Sequence, residues 1–281
     1  MKSRDSNQPI GLFDSGIGGL TVAKAIKDKL PAENLIYFGD TAHLPYGDKS
    51  PDSIKYYAIR IAQFLLDHKC KMIVIACNTA SALAYDTVKD FIGKRAMVVN
   101  VIDPVVNKIL QGNAGAQSAE KKHRKVGVIG TKGTIKSGIH AKKIVAADKS
   151  IEVSGLATPL LVPMIEEGFF NNKISRTVIN SYLSRPKLNH IDALILGCTH
   201  YPLIKNEIEE LYKGKIPLID AADEVAQYVY QTLKKHKLLR RAGGKKPYYR
   251  FYVSDFTDAF EKNTNFFFNR KIKLEEARIW K

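Results

Sequence analysis

The sequence predicts an α/β protein with mainly parallel sheets, built as two related units. Short apolar runs alternate with amphipathic stretches along the 281 residues, the pattern of strands joined through helices. A weak internal repeat is superimposed on that alternation. IGLFDSGIGG (10–19) resembles VGVIGTKGT (126–134), each an apolar run followed by a glycine-bearing turn with hydroxyls. About sixty-five residues after each turn comes a second matched pair, MIVIACNTA (72–80) and ALILGCTHY (193–201), both ending in Cys followed by small hydroxylic or amide residues.

Taken in chain order, strands are expected at 10–13, 35–39, 72–76, 97–102, 125–130, 193–197, 216–220 and 250–254. Ser50 before Pro51 reads as an N-cap and first helical residue, opening a helix that runs to about His68. In 221–235 the residues Ala222, Val225, Ala226, Val229 and Leu233 share one helical face. The small, polar and charged stretch 110–125 reads as a connection between units.

The first turn, FDSGIGGLTV (13–22), has the glycines of a nucleotide loop but opens with Asp14 and Ser15. A pyrophosphate cradle presents bare backbone N–H groups, which a carboxylate would oppose. Thr21 also stands where a dinucleotide fingerprint asks for Gly or Ala. This turn is either purely structural or holds something other than a nucleotide.

Composition narrows the class further. The polar start MKSRDSNQ lacks the apolar core of a secretory signal, and no apolar run approaches the ~20 residues of a membrane span. Cys70, Cys77 and Cys198 form neither a disulfide framework nor a zinc pattern, so the expected compartment is the reducing cytoplasm. The net charge of +16 concentrates in EKKHRK (120–125) and in 233–250. A polyanion-binding surface is one reading, but a solvated lysine-rich surface is favoured, because no nucleic-acid module accompanies the charge. No nucleic-acid or membrane partner is therefore expected.

Ligands of open α/β sheets sit at the carboxyl ends of the strands. Two related units that each present a Cys there point to one site lined by two thiols. The first N–H groups of the following helix favour a thiolate at each position. Asn78 and Thr79 follow Cys77, and Thr199 and His200 follow Cys198. Two single-proton bases on opposite faces of a carbon would remove a proton from one side and return one to the other, inverting a stereocentre. A Cys at the end of a buried strand is commonly just a small hydrophobe, but packing does not require CNT and CTH to follow both strands. Cys70, in HKCKM, has no such context and reads as structural. A metal site built from Cys198, His200 and a distant His43 or Cys77 lacks standard spacing, and a redox Cys-x-x-Cys is absent.

DSGIGGLTV (14–22), GDTAHLPYGDKS (39–50), ACNTASA (76–82), GTKGTIKS (130–137), LVPMIEEG (161–168) and LGCTHYPL (196–203) occur in the order found in the glutamate racemases, and the chain resembles that family up to about residue 220. The resemblance implies interconversion of L- and D-glutamate, the latter for peptidoglycan, with no cofactor or metal and commonly as a homodimer. It implies that Cys77 takes the α-proton of the D enantiomer and Cys198 that of the L enantiomer. Asp14 and His200 would assist the thiols, with Asp40 and Glu166 as further acidic groups. Asp14, Ser15, Pro45, Tyr46, Gly47, Asn78, Thr79, Thr131, Thr134 and Thr199 would bind substrate. The implied domains are 1–100 with 214–281, carrying Cys77, and 101–213, carrying Cys198, with the active site in the cleft between them. His140 and Thr158 depart from the residues common in the family. Aspartate racemase is the neighbouring alternative, and a basic partner-binding protein the more distant one.

Overall fold

The computed structural model describes residues 5–112, 124–241, 243, 245–256 and 273–280. It contains two sheets in which every strand pair is parallel. The first begins with β1 (Ile10–Asp14), which leads through α1 (Leu20–Lys29) to β2 (Leu35–Gly39). Then come α2 (Pro51–Asp67), β3 (Met72–Ile75), α3 (Asn78–Ile92) and β4 (Met97–Asn100). Both faces of the sheet are covered, so β1, β2 and β3 are buried along their whole length and read as continuous apolar runs. Ser50 Oγ accepts from Ser53 N at 3.2 Å, with Pro51 at the first position, as the sequence predicts for α2.

The fourth strand is shorter than expected. Asn100 Oδ1 accepts from Ile102 N at 2.9 Å and Asp103 N at 2.8 Å, which turns the chain into α4 (Ile102–Leu110) where a strand to residue 102 is predicted. Residues 113–123 of the expected connection lie outside the described residues, as do four of the six residues of EKKHRK.

The second sheet is built from β5 (Arg124–Gly130), β6 (Ile151–Ala157), β7 (Ala193–Gly197) and β8 (Leu218–Ile219). Its helices are α5 (Lys132–Ser137), α6 (Ile139–Ala147), α7 (Leu161–Glu166), α8 (Lys173–Leu183) and α9 (Lys205–Leu211). The chain then passes into α10 (Ala221–Lys235), β9 (Tyr249–Val253) and β10 (Leu274–Glu276), the last two completing the first sheet. The strand orders are β10-β9-β2-β1-β3-β4 and β6-β5-β7-β8. The sequence misses two strands, β6 and β10, and both lie on sheet edges. An edge strand is half-solvated, and IEVSGLA mixes polar and apolar residues accordingly. The expected boundary at 213/214 meets a difference as well: β8 lies beyond it yet pairs with β7.

One apolar layer joins the sheets. Ile10 and Leu12 of β1, Val105 and Ile109 of α4, Val126 and Val128 of β5 and Val225 and Val229 of α10 belong to a single buried cluster. Separate clusters cover the outer faces, one under α2 and α3 and one under α7 to α9. Each sheet has a switch point, where the strands on either side of the first strand are reached in opposite directions. It lies between β1 and β3 in one sheet and between β5 and β7 in the other. Such points open a crevice beyond the carboxyl ends of the strands.

Candidate active site

Cys77 follows β3 and Cys198 follows β7, so the two thiols leave equivalent positions of the two sheets. Both line one narrow cleft with about 50 Å³ of free space, suited to a small molecule. Ser15, Pro45, Tyr46, Gly47, Asn78, Thr79, Thr131, Thr199 and His200 line it with them. Of the other residues expected there, Asp14, Thr134, Glu166 and Asp40 stand behind the wall.

Cys77 caps α3: its Sγ accepts from Ala80 N at 3.4 Å and lies 3.9 Å from Ser15 Oγ. Burial pushes its thiol up, and the Asp14 carboxylate raises it further against the opposing N–H of Ala80. Asp14, fully buried at the end of β1, accepts from Gly19 N at 2.9 Å and Gly16 N at 3.2 Å. Burial raises its pKa, while the charge of His200 and those N–H groups act the other way. The glycine turn thus wraps a carboxylate of its own strand, which explains why an acid opens it. Gly18 is demanded by the opposite unit, since a Cβ there would sit 2.5 Å from Thr199 Oγ1 and 2.6 Å from His200 Nδ1.

Cys198 has different company. Its Sγ is 3.6 Å from His200 Nδ1, and His200 Nε2 is 3.0 Å from Glu166 Oε1, close in distance but without the alignment of a hydrogen bond. Burial alone would lower the imidazole pKa. The Cys198 sulfur and the Glu166 carboxylate outweigh it together and hold His200 well above the usual value. Glu166 ends α7 with its side chain turned to His200, whereas Glu167 is exposed.

Hydroxyls close the cleft between the units. Thr79 Oγ1 lies 2.9 Å from Thr131 Oγ1 and 3.3 Å from Thr134 Oγ1, and Thr131 donates to Thr134 at 3.0 Å. Thr199 Oγ1 reaches Asp14 Oδ1 at 3.5 Å. Asn78 Nδ2 is buried at the cleft without a protein partner, a donor available to a bound oxygen.

Asp40 follows β2 and does not face the cleft. Its carboxylate accepts from Tyr46 Oη at 2.6 Å and Ser254 Oγ at 2.8 Å and meets His43 Nδ1 at 2.9 Å, so it fixes the loop that carries Tyr46 and Gly47. Thr158, which the sequence marks only as a departure, also lines the cleft, with its hydroxyl 2.6 Å from Tyr201 Oη. Lys132 and Asp48 lie at the mouth, paired at 3.2 Å; both fall inside the matched motifs, but neither is among the site residues expected from the sequence. Cys70 is buried beneath Gly11, away from the cleft, and burial pushes its thiol up to about 12.

Two parallel α/β units thus meet on a small cleft with matched thiols. The family profile for Asp/Glu/Hydantoin racemase matches residues 18–229. A glutamate racemase of Geobacter metallireducens is 41% identical over 263 residues, 94% of this chain and 93% of that protein. One from Neisseria meningitidis is 38% identical over 276 residues, 98% of each. Among solved structures, the glutamate racemase of Francisella tularensis in complex with D-glutamate superposes with a TM-score of 0.87 at 40% identity, over 98% of this chain and 99% of that one. The chain belongs to the Asp/Glu/hydantoin racemase family, as its motifs imply. No helix among the described residues is long and apolar enough to cross a membrane.

Proposed function

We propose that this protein interconverts L- and D-glutamate without a cofactor, through proton transfers at Cys77 and Cys198, and supplies D-glutamate for peptidoglycan in the cytoplasm. The observation that carries the chemistry is the pair of thiols at equivalent strand ends on one cleft. The relatives named glutamate racemase, and the related structure that holds D-glutamate, support the substrate.

In this reading the α-carbon lies between the sulfurs. From D-glutamate, the Cys77 thiolate takes the α-proton and the Cys198 thiol gives its proton to the opposite face. The reverse direction exchanges the roles. Burial and Asp14 both disfavour a Cys77 thiolate, so a cation is needed beside it. The substrate ammonium brings one: Ser15 lines the cleft beside Cys77, and the buried Asp14 carboxylate attracts the cation from behind the wall. On the other side, the His200 imidazolium backed by Glu166 stabilises the Cys198 thiolate. Asn78 Nδ2 is free to donate to a substrate carboxylate.

The test is incubation with L-glutamate in D₂O under reducing conditions with no cofactor added. D-glutamate carrying α-deuterium in the wild type, and its severe loss in Cys77→Ser and Cys198→Ser, is the expected result. Absence of both inversion and exchange in folded protein would sink the reading, and turnover of aspartate instead would reassign the substrate.

A further inference from the structure

The cleft's outer lip, residues 41–48, contains only two single-turn 3₁₀ segments, Thr41–His43 and Tyr46–Asp48. Such a loop takes its shape from whatever packs behind it. Tolerance at the lip is small, because a Cβ on Gly47 would meet Thr131 Cβ at 2.7 Å. The support comes from the C-terminal part of the chain, beyond the residues 18–229 that the family profile matches.

Two grips hold the lip. The residues after β9 form the first: Ser254 Oγ donates to Asp40 and accepts from Ala42 N at 2.9 Å, while Asp255 N donates to Thr41 Oγ1 at 2.9 Å and its carbonyl accepts from the same hydroxyl at 2.5 Å. The final segment forms the second. Ala277 N bonds Val253 O at 2.8 Å and Arg60 donates to Ile279 O, which delivers Trp280 to α2. There the indole stands edge-on to His43 at 4.5 Å and to Tyr57 at 5.4 Å. Tyr57 stacks on the face of His43 at 4.0 Å and 23°, so the indole packs against the flank of a stacked pair. The His43 ring, buttressed by Tyr57 on its face and Trp280 at the flank, aims Nδ1 at Asp40, and Asp40 holds the Tyr46 hydroxyl.

We infer that Trp280 is a positioning residue for substrate binding, acting through His43 and Asp40 to set the Tyr46–Gly47 lip of the cleft. The inference rests on the proposed glutamate reaction for its kinetic readout. The rings Trp280 packs against, His43, Tyr56 and Tyr57, do not line the cleft, so its loss misplaces the lip while both thiols keep their geometry.

Steady-state kinetics of Trp280→Ala and Trp280→Phe with glutamate test this. KM is expected to rise by about tenfold in Trp280→Ala with kcat within about twofold, and to return close to wild type in Trp280→Phe. His43→Ala should raise KM similarly, and the double variant should be no worse than either single one. Trp280 is the chain's one tryptophan, so its fluorescence in the wild type should shift as glutamate saturates the cleft. An unchanged KM in Trp280→Ala, additive effects with His43→Ala, or a wild-type emission indifferent to saturating glutamate would overturn the inference. If Trp280→Ala does not fold, the wild-type fluorescence decides alone. A wild type inert toward glutamate would instead refute the substrate. The coupling would then be judged by amide exchange over 41–48, faster in Trp280→Ala than in Trp280→Phe if the inference holds and equal in both if it does not.

Discussion

Cys77 and Cys198 occupy the same place in two similar units, yet their surroundings have opposite electrostatic character. Cys77 is buried beside a carboxylate, and together these outweigh the N-terminus of α3 and keep its proton on. Cys198 sits beside an imidazole that Glu166 helps keep charged. Duplicated topology has therefore placed two sulfurs symmetrically without making them equivalent. The difference suits a substrate that carries its own cation: one side lacks positive charge until the ammonium arrives, and the other supplies it from the protein.

The severest way to break the comparison is to remove either sulfur. Cys77→Ser and Cys198→Ser should each lower racemisation by about 10⁴-fold, since neither base substitutes for the other; polarimetry checks this. Substantial activity in one variant would mean that a single base serves both faces. His200→Asn should cost about 10³-fold and Asp14→Asn a comparable amount. Enantiomers have equal free energies, so kcat/KM falls equally in both directions. The asymmetry is read instead from isotope effects with α-deuterated substrates, larger for the L enantiomer in His200→Asn and for the D enantiomer in Asp14→Asn.

A stability difference sharpens the contrast. His140, buried under Gly197 beside the Cys198 strand, has its pKa pushed down to about 4 by burial. The folded value lies below the unfolded 6.5, so the unfolded chain binds the extra proton and stability falls as pH drops from about 6.5 toward 4. The loss should approach about 3 kcal/mol, and His140→Phe should flatten it in urea titrations across that range. The smallest effect is expected for Glu166→Gln, with about tenfold lower activity at neutral pH. His200's folded pKa is raised, so its stabilising charge is complete below 6.5 and is lost as pH climbs through the folded value. Without Glu166 that loss starts earlier, and the basic limb of the pH–rate profile should move to lower pH.

The layout of the buried strands was legible because two covered faces force continuous apolar runs, and the matched Cys contexts were legible because strand ends carry ligands. Edge strands β6 and β10 were not, since half-solvated strands lose that signature. Asp40 lies in a motif-rich stretch and reads as a site acid, but its partner Ser254 is 214 residues away, and only the fold shows that it braces Tyr46. Glu166 and Glu167 are indistinguishable as neighbours in sequence; the turn of α7 separates them, aiming one at His200 and the other at solvent. Thr158 belongs to no chemical motif, and its place on the cleft wall follows from the end of β6.

The hydroxyl contacts of Thr79, Thr131 and Thr134 have a consequence for traffic through the cleft. They carry no net charge, either partner of a pair can donate, and water replaces such bonds at a net cost of only about 1 kcal/mol each. A seam sewn this way unpicks and reseals easily. It is also indifferent to ionic strength, whereas the exposed Lys132–Asp48 pair at the mouth is weakened by screening.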